Sequence, residues 1–324
     1  MIEVTLLEKH RYETVFFLFR KSGKRHEIRS KQAMKRILIV LFLITGLPSL
    51  HAQYELEQMR FQEDSLRYCL DKLRSSQKDA DRKIWNKKFK LMLEETLDMK
   101  GAFEYPFDSL KSIARIYSPD KVFRLFNWNV ENDNGTFTYY GFVMVPGNKT
   151  SLFELVDQTP VIHDPEDKTL DNKKWLGALY YDIILSGTTT RKEYTLLGWD
   201  GYSRMSQRKI IDVMIIQADK IQFGAPIFMA GPKGGWKKRV VFEFSSKAKM
   251  TMKYSVKDQM IIFDHLIPES EMAEGIREFY VPDGSYDGYA LVNERWEYRS
   301  DVDARRPKDK KDRFWNDPKK TGNN

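Results

Sequence analysis

Residues 122–145 read VFRLFNWNVENDNGTFTYYGFVMV, and this stretch decides the fold class. Its two arms, 122–130 and 136–145, are rich in Val, Phe, Tyr and Thr, the residue types that favour β-strands. Between them lies Asp133-Asn134-Gly135, a cluster of turn-forming residues. The stretch therefore predicts two antiparallel strands joined by a tight turn.

The same alternation of strand-like runs and turn clusters continues towards the C-terminus. Further strands are predicted at 176–185, 193–198, 240–244, 250–256, 260–263, 279–281 and 295–299. Within 250–256, Met250, Met252, Tyr254 and Val256 alternate with polar residues, which predicts one buried face. Residues 205–217 fit a buried strand or a short helix, and their β-branched content favours the strand.

Residues 54–100 have helical periodicity instead. Apolar side chains line one face at Met59, Leu66, Cys69, Leu70 and Leu73, and another at Trp85, Phe89, Met92, Leu93 and Thr96. The polar stretch 75–79 separates the two faces, and Gly101 follows as a helix stop. This pattern predicts two antiparallel helices.

These elements together predict a mainly β protein, an antiparallel sandwich or barrel-like domain with an N-terminal helical pair. The predicted segments are a helical segment at 53–104, a β domain at 105–300 and a charged tail at 301–324. A small propeller is the alternative fold, because residues 198–202 and 283–289 carry similar Asp-Gly-aromatic motifs. Their separation is about twice a propeller blade, so we interpret them as two similar hairpin turns.

Residues 34–52 have the order of a secretory signal peptide. Met34-Lys35-Arg36 is basic, 37–47 is apolar, and the breaker Pro48 precedes a cleavage site after Ala52. An apolar run of this length is too short to span a bilayer. The mature chain is therefore expected to begin near Gln53, outside the cytoplasm and without a membrane span, and residues 1–33 are interpreted as mis-called upstream translation. A cytoplasmic extension before a signal anchor is the alternative.

The basic character of the chain belongs to its two ends. The whole sequence has a formal charge of +8, whereas residues 53–300 contain 36 basic and 37 acidic side chains. A nucleic-acid-binding face needs a basic patch within the folded part. The charge distribution therefore argues against a nucleic-acid partner.

Six short motifs along the mature chain form a recognisable set. They are 118–120 (SPD), 123–128 (FRLFNW), 175–181 (WLGALYY), 196–201 (LLGWDG), 263–266 (FDHL) and 281–284 (VPDG). In this order behind a leader, they resemble an uncharacterised group of exported proteins from Bacteroidota-type bacteria. The resemblance covers most of residues 54–305 and brings no established activity. It implies a location in the periplasm or cell envelope of a Gram-negative bacterium.

The candidates for catalysis are a small pool of acids and histidines, namely His163-Asp164, Asp182, Asp200 and Asp264-His265. A hydrolase using Asp200, Asp264 and His265 is one hypothesis; ordinary turn-forming roles for these aspartates are the other. A metal site needs about three converging ligands, and the sequence has no such spacing. We therefore predict no metal and no cofactor.

Several aromatic residues next to predicted turns are candidates for ligand binding. They are Trp199, Tyr202, Trp236, Tyr286 and Tyr289, which could form a platform for sugar rings or a peptide; core packing is the alternative. The segment 231–239, GPKGGWKKR, joins flexible backbone to four cations and is either a cradle for an anionic group or an exposed hairpin loop.

The leading functional hypothesis is an exported, non-enzymatic binding or envelope-associated protein with a glycan or protein ligand. It follows from the leader, the aromatics at turns and the lack of a catalytic pattern. The alternatives are the hydrolase described above and a structural partner that assembles through the N-terminal helices.

Overall fold

The structure is a computed structural model and describes residues 53–303, except 148, 188–191, 218–219 and 230–234. The predicted leader and most of the charged tail lie outside the described residues. The chain divides into two compact units, Met1–Phe61 and Gln62–Asn324. The elements discussed below belong to the second unit unless stated otherwise.

Two helices form at the predicted place. Helix α1 covers residues 53–75, of which 53–61 fall in the first unit, and α2 covers Asp79–Leu97. Asp79 places a carboxylate in the first turn of α2, where the helix dipole favours negative charge. The side chains of Phe89, Leu93 and Leu97 are fully buried. The predicted helical pair is confirmed.

The strands form three sheets. The first sheet contains β1 Ala114–Tyr117, β2 Arg124–Glu131, β3 Phe137–Val145 and β4 Ser151–Val156 in sequential order. The second contains β5 Leu170–Asp171, β6 Leu179–Leu185, β7 Tyr194–Asp200, β8 Ser206–Ile216 and β9 Ile221–Phe223, in the order β5-β9-β8-β7-β6, with β12 Val240–Ser245 also paired to β8.

The third sheet contains β10 Phe228–Met229, β11 Trp236–Lys237, β13 Met252–Ser255, β14 Met260–Pro268, β15 Tyr280–Val292 and β16 Arg295–Arg299, in the order β11-β10-β16-β15-β14-β13. Its pairs are antiparallel except β10 with β16. The mainly antiparallel β class is confirmed, and the sheets curl into a half-barrel rather than into propeller blades.

The second sheet contributes to two hydrophobic cores, which explains why apolar and polar residues do not alternate along its central strands. Leu196 of β7 and Ile210 of β8 pack with side chains of the first sheet, whereas their neighbours Leu197 and Ile211 pack with the third. A strand that is buried on both faces reads as a continuous apolar run. This is why 205–217 had no clear period, and the prediction of a strand there is confirmed.

The hairpin turn predicted at 283–289 is wrong, because β15 runs through these residues. Asp264 pairs with Tyr286 and Leu266 pairs with Pro282, so residues 283–285 bulge opposite the single residue His265. Gly284 has a φ of +91°, which the bulge requires and glycine tolerates. The turn-forming residues thus mark a β-bulge, and the strands predicted at 260–263 and 279–281 are parts of much longer ones.

The burial predicted for 250–256 holds for most of its length. Met250 and Met252 are buried and Tyr254 is half-buried. Val256 is 78% exposed, because β13 ends at Ser255 and the chain turns there. The prediction is therefore wrong only at its last position.

Helix α2 is attached to the first sheet by a buried hydrogen bond. The indole Nε1 of Trp128 donates to Oδ1 of Asn86 at 2.7 Å, and Phe89 contacts the same ring edge to face. We expect Asn86→Ala to lower the free energy of unfolding by about 1–3 kcal/mol, because a buried donor is left without an acceptor. Urea unfolding measures this. Lys87→Ala, an exposed neighbour on α2, is the control, and an equal loss in both variants would contradict the assignment.

Candidate functional site

An open cleft of about 560 Å³ lies where the second and third sheets meet. Strand β12 of the second sheet and strands β14, β15 and β16 of the third line it. Two short 3₁₀ turns, Pro165–Asp167 and Arg277–Phe279, complete its walls. A concave site with convergent polar groups is the usual form of a ligand-binding site.

A histidine and a buried carboxylate are paired in this cleft. Nδ1 of His265 lies 2.6 Å from Oδ2 of Asp287, with side chains 40% and 7% exposed. The same Oδ2 accepts a 2.5 Å hydrogen bond from the hydroxyl of Tyr298, and Oδ1 accepts one from the backbone N–H of Asp301 at 3.2 Å. Asp287 is therefore held by three donors, one of which is the imidazole.

The bulge in β15 explains why His265 is available. Asp264 and His265 are neighbours on β14, and both line the cleft. Oδ2 of Asp264 accepts the backbone N–H of Thr251 at 2.7 Å, so this carboxylate holds the segment before β13. His265 lies opposite the bulge and reaches Asp287 two residues beyond it.

Burial and the neighbouring carboxylate keep the phenol of Tyr298 protonated. Desolvation, followed by the hydrogen bond to Asp287, raises the pKa of Tyr298 far above the physiological range. Desolvation likewise raises the pKa of Tyr289, which lines the cleft and packs on Phe263. Both hydroxyls are therefore hydrogen-bond donors at neutral pH.

The charged side chains of the cleft are only partly paired. Arg208 contacts Glu243 at 2.9 Å, and Lys237 contacts Glu166 at 2.6 Å. Arg277 has no carboxylate partner among the described residues, and its guanidinium lies 4.7 Å from the centre of the Tyr280 ring.

Asp164 and Asp167 also line the cleft and are exposed, and neither has a cationic partner in the described part of the chain. The lining of the cleft thus contains two free carboxylates, a free guanidinium and an imidazole.

Of the catalytic candidates, the structure brings Asp164, Asp264 and His265 to the cleft and leaves His163, Asp182 and Asp200 outside its lining. Asp200 is buried at the end of β7, where the hydroxyl of Tyr139 donates to its Oδ1 at 3.0 Å. Desolvation raises the pKa of Asp200 to about 6.

The aromatic candidates are distributed over several places. Tyr289 is buried in the cleft wall. Tyr202 is next to the cleft, because the guanidinium of the lining residue Arg208 lies 3.1 Å from the centre of its ring. Trp236 is 39% exposed beneath Arg295. Trp199 is half-buried and donates to Gln207 at 2.8 Å, and Tyr286 is half-buried in β15.

Residues 231–234 of the glycine-rich segment lie outside the described residues. Two of its remaining cations already have partners: Lys237 pairs with Glu166, and Arg239 is fully buried beside Asp212. Arg239 is therefore a core residue and does not belong to an accessible anion cradle.

Sequence reasoning missed Asp287, the direct partner of the histidine. Its signal was present, because Asp287 precedes Tyr289 by two residues and so shares its face of the strand. The misassigned turn at 283–289 hid this relation.

On the helices, Tyr68, Ile84 and Leu91 are exposed, and assembly through them stays a prediction.

Among the described residues no helix has the length and apolarity to cross a membrane. Within the same residues, no three His, Cys, Asp or Glu side chains form a group suited to a metal ion.

Comparisons of this chain with protein families, with curated proteins and with solved structures find no match.

Proposed function

We propose that this protein binds a carbohydrate in the cleft, and that it does so in the periplasm or cell envelope. The observation that carries the proposal is the set of charged side chains in the cleft lining that have no ionic partner. Asp164 and Asp167, from the turn at Pro165–Asp167, and Arg277, from the turn at Arg277–Phe279, are unpaired within the described residues. The leader predicted at 34–52 and the sequence resemblance support the location.

A carbohydrate suits these walls because each hydroxyl group is both a donor and an acceptor. Carboxylates accept from two neighbouring hydroxyls, and the planar guanidinium donates to two oxygens at once. Charged groups make the stronger hydrogen bonds, so Asp167 and Arg277 are expected to fix the orientation of the sugar. The aromatic side chains Phe242 and Tyr298 supply apolar surface in the same cleft.

Unpaired charges alone do not support this function, since exposed surface charges are common. Their value here lies in facing one concave space of about 560 Å³, which is large enough for a short oligosaccharide.

A glycan array probed with the fluorescently labelled full chain tests the proposal. We expect binding to a subset of oligosaccharides, and Arg277→Ala and Asp167→Ala should each weaken it about 10-fold or more. The reason is that a hydrogen bond to a charged group contributes roughly 1.5–3 kcal/mol.

Arg67→Ala is the matched control, because Arg67 is an exposed arginine of α1 outside the cleft. The proposal fails if the array shows no binding, or if bound glycans are retained equally by the two cleft variants and the control.

A further inference from the structure

The geometry points to His265 as a general base that activates water for the hydrolysis of a carboxylic ester bound in the cleft, with Asp287 and Tyr298 as its positioning residues. The inference goes beyond ligand binding and rests on the proposed function only in using the same cleft. It also changes the set of residues in the hydrolase hypothesis, because Asp287 replaces Asp200.

The hydrogen bond to Asp287 fixes which nitrogen of His265 can act. A carboxylate only accepts, so the proton of the neutral imidazole lies on Nδ1, facing Oδ2 at 2.6 Å. Nε2 then carries the free lone pair. It has no hydrogen-bond partner among the described residues, and the ring lines the cleft with the side chain 40% exposed.

Asp287 keeps the imidazole of His265 in this orientation during the reaction. When Nε2 gains a proton, the imidazolium is stabilised by the adjacent carboxylate, as in other aspartate-histidine pairs. Tyr298 and the backbone N–H of Asp301 hold the carboxylate from two further directions. Tyr298 can only donate here, because burial and Asp287 raise its pKa.

The reaction needs only water and the ester. Nε2 removes a proton from water while the water oxygen forms a bond to the acyl carbon, and the π electrons of the carbonyl move to its oxygen. The tetrahedral species then re-forms the carbonyl and releases the alkoxide. The proton on Nε2 passes to the alkoxide, so the products are a carboxylic acid and an alcohol, and His265 is neutral again.

Arg277 is the available cation for the negative charge that develops on the carbonyl oxygen. The other permanent cations of the cleft, Arg208 and Lys237, are already paired with Glu243 and Glu166. A single oxyanion donor typically contributes about 10²–10³-fold to the rate.

The size of these two rate enhancements indicates which kind of bond is cleaved. General base catalysis contributes roughly 10²–10⁴-fold, which suits an ester with an alkoxide or phenolate leaving group. A glycosidic bond requires two carboxylates at a set separation on either side of it. The two free carboxylates of the cleft, Asp164 and Asp167, come from one short turn and therefore do not flank a bond from two sides. The inferred substrate is therefore an acyl ester, including one carried by a sugar hydroxyl.

The rate of 4-nitrophenyl acetate hydrolysis by the full chain, measured between pH 5 and 9, tests the inference. An O-acetylated xylo-oligosaccharide, followed by acetate release, is the second probe. We expect hydrolysis above the buffer rate, and a loss of about 100-fold or more in His265→Gln.

Asp287→Asn should also lower kcat while KM stays close to the wild-type value, because an amide can donate to Nδ1 and so favours the tautomer in which Nε2 carries the proton. A merely structural role of Asp287, as a residue that shapes the cleft, would change KM together with kcat. Tyr298→Phe, which removes one hydroxyl, keeps the test open if Asp287→Asn does not fold.

His163→Gln is the matched control, since His163 is exposed and absent from the cleft lining, and it should keep the full rate. The inference is overturned if the wild-type chain is no faster than buffer with both probes, or if His265→Gln and His163→Gln behave alike. Glycan binding that survives in His265→Gln separates this outcome from failure of the proposed function.

Discussion

Replacing Arg239 by methionine is expected to lower the free energy of unfolding by about 3–5 kcal/mol, the largest effect we expect from one side chain. Arg239 and Asp212 are both fully buried, with Nε of the arginine 3.1 Å from Oδ2 of the aspartate. Neither of these two atoms makes an aligned hydrogen bond within the described residues. The pair is thus held by charge, and removing the cation leaves a carboxylate alone in the core.

The loss should shrink at low pH, because desolvation already raises the pKa of Asp212 even beside Arg239. Without the cation its protonation becomes easier still, and a neutral carboxyl costs less to bury. Urea unfolding of Arg239→Met at pH 4 and pH 7 measures the difference. A cost that is equal at the two pH values would contradict the electrostatic explanation.

A double variant separates the charge from the packing. Asp212→Leu combined with Arg239→Met replaces the ion pair by apolar groups, a change that is often neutral or stabilising. We expect it to be more stable than Arg239→Met alone. Any remaining loss measures the hydrogen bonds that Arg239 donates to the backbone carbonyls of Pro165 and Lys168. Those carbonyls belong to the turn that carries Asp164 and Asp167, so ligand binding should weaken when these hydrogen bonds are lost.

Asp200→Asn changes the free energy of unfolding, and we expect this change to be more favourable at pH 8 than at pH 4 by about 3 kcal/mol. Desolvation raises the pKa of Asp200 from 3.8 to about 6, and its Oδ2 has no partner within the described residues. The folded state therefore holds the proton more tightly than the unfolded chain. Stability from this group is fully present below pH 3.8 and is lost as the pH rises through about 6.

Asparagine cannot ionise, so the variant should lack this pH dependence. Its amide N–H₂ has no obvious acceptor in place of Oδ2, which costs about 1–3 kcal/mol at every pH and lowers the absolute gain. Urea unfolding from pH 4 to pH 8 gives the difference between variant and wild type. Asp108→Asn is the control, because that side chain is 88% exposed; parallel stability curves for Asp200→Asn and wild type would refute the prediction.

Local sequence patterns were sufficient for most of the fold. The hairpin of β2 and β3 follows directly from the composition of residues 122–145, and the apolar faces of the helices place α1 and α2. The patterns failed where pairing between distant residues decides the outcome. Asp283-Gly284-Ser285 has the composition of a turn, yet the pairing of β14 with β15 continues on both sides of it and makes it a bulge.

The candidate site was predictable only in part, for the same reason. His265 and Tyr289 were selected from their types and positions. The partner of His265 comes from a strand 22 residues away, and the register of β14 against β15 brings them together. Arg277 and Asp167 come from two short 3₁₀ turns, and no local pattern shows that such turns face one cleft.

The position of β16 has a consequence for the synthesis of the chain. This strand, the last one in the described residues, lies inside the third sheet, between β10 and β15, and the indole Nε1 of its Trp296 donates to Thr195 across 101 residues of sequence. On the ribosome, Trp296 emerges after almost everything it packs against. The nascent polypeptide therefore cannot close this sheet, or the core beneath it, until β16 has left the ribosome. Throughout that interval the unpaired strands remain accessible to chaperones.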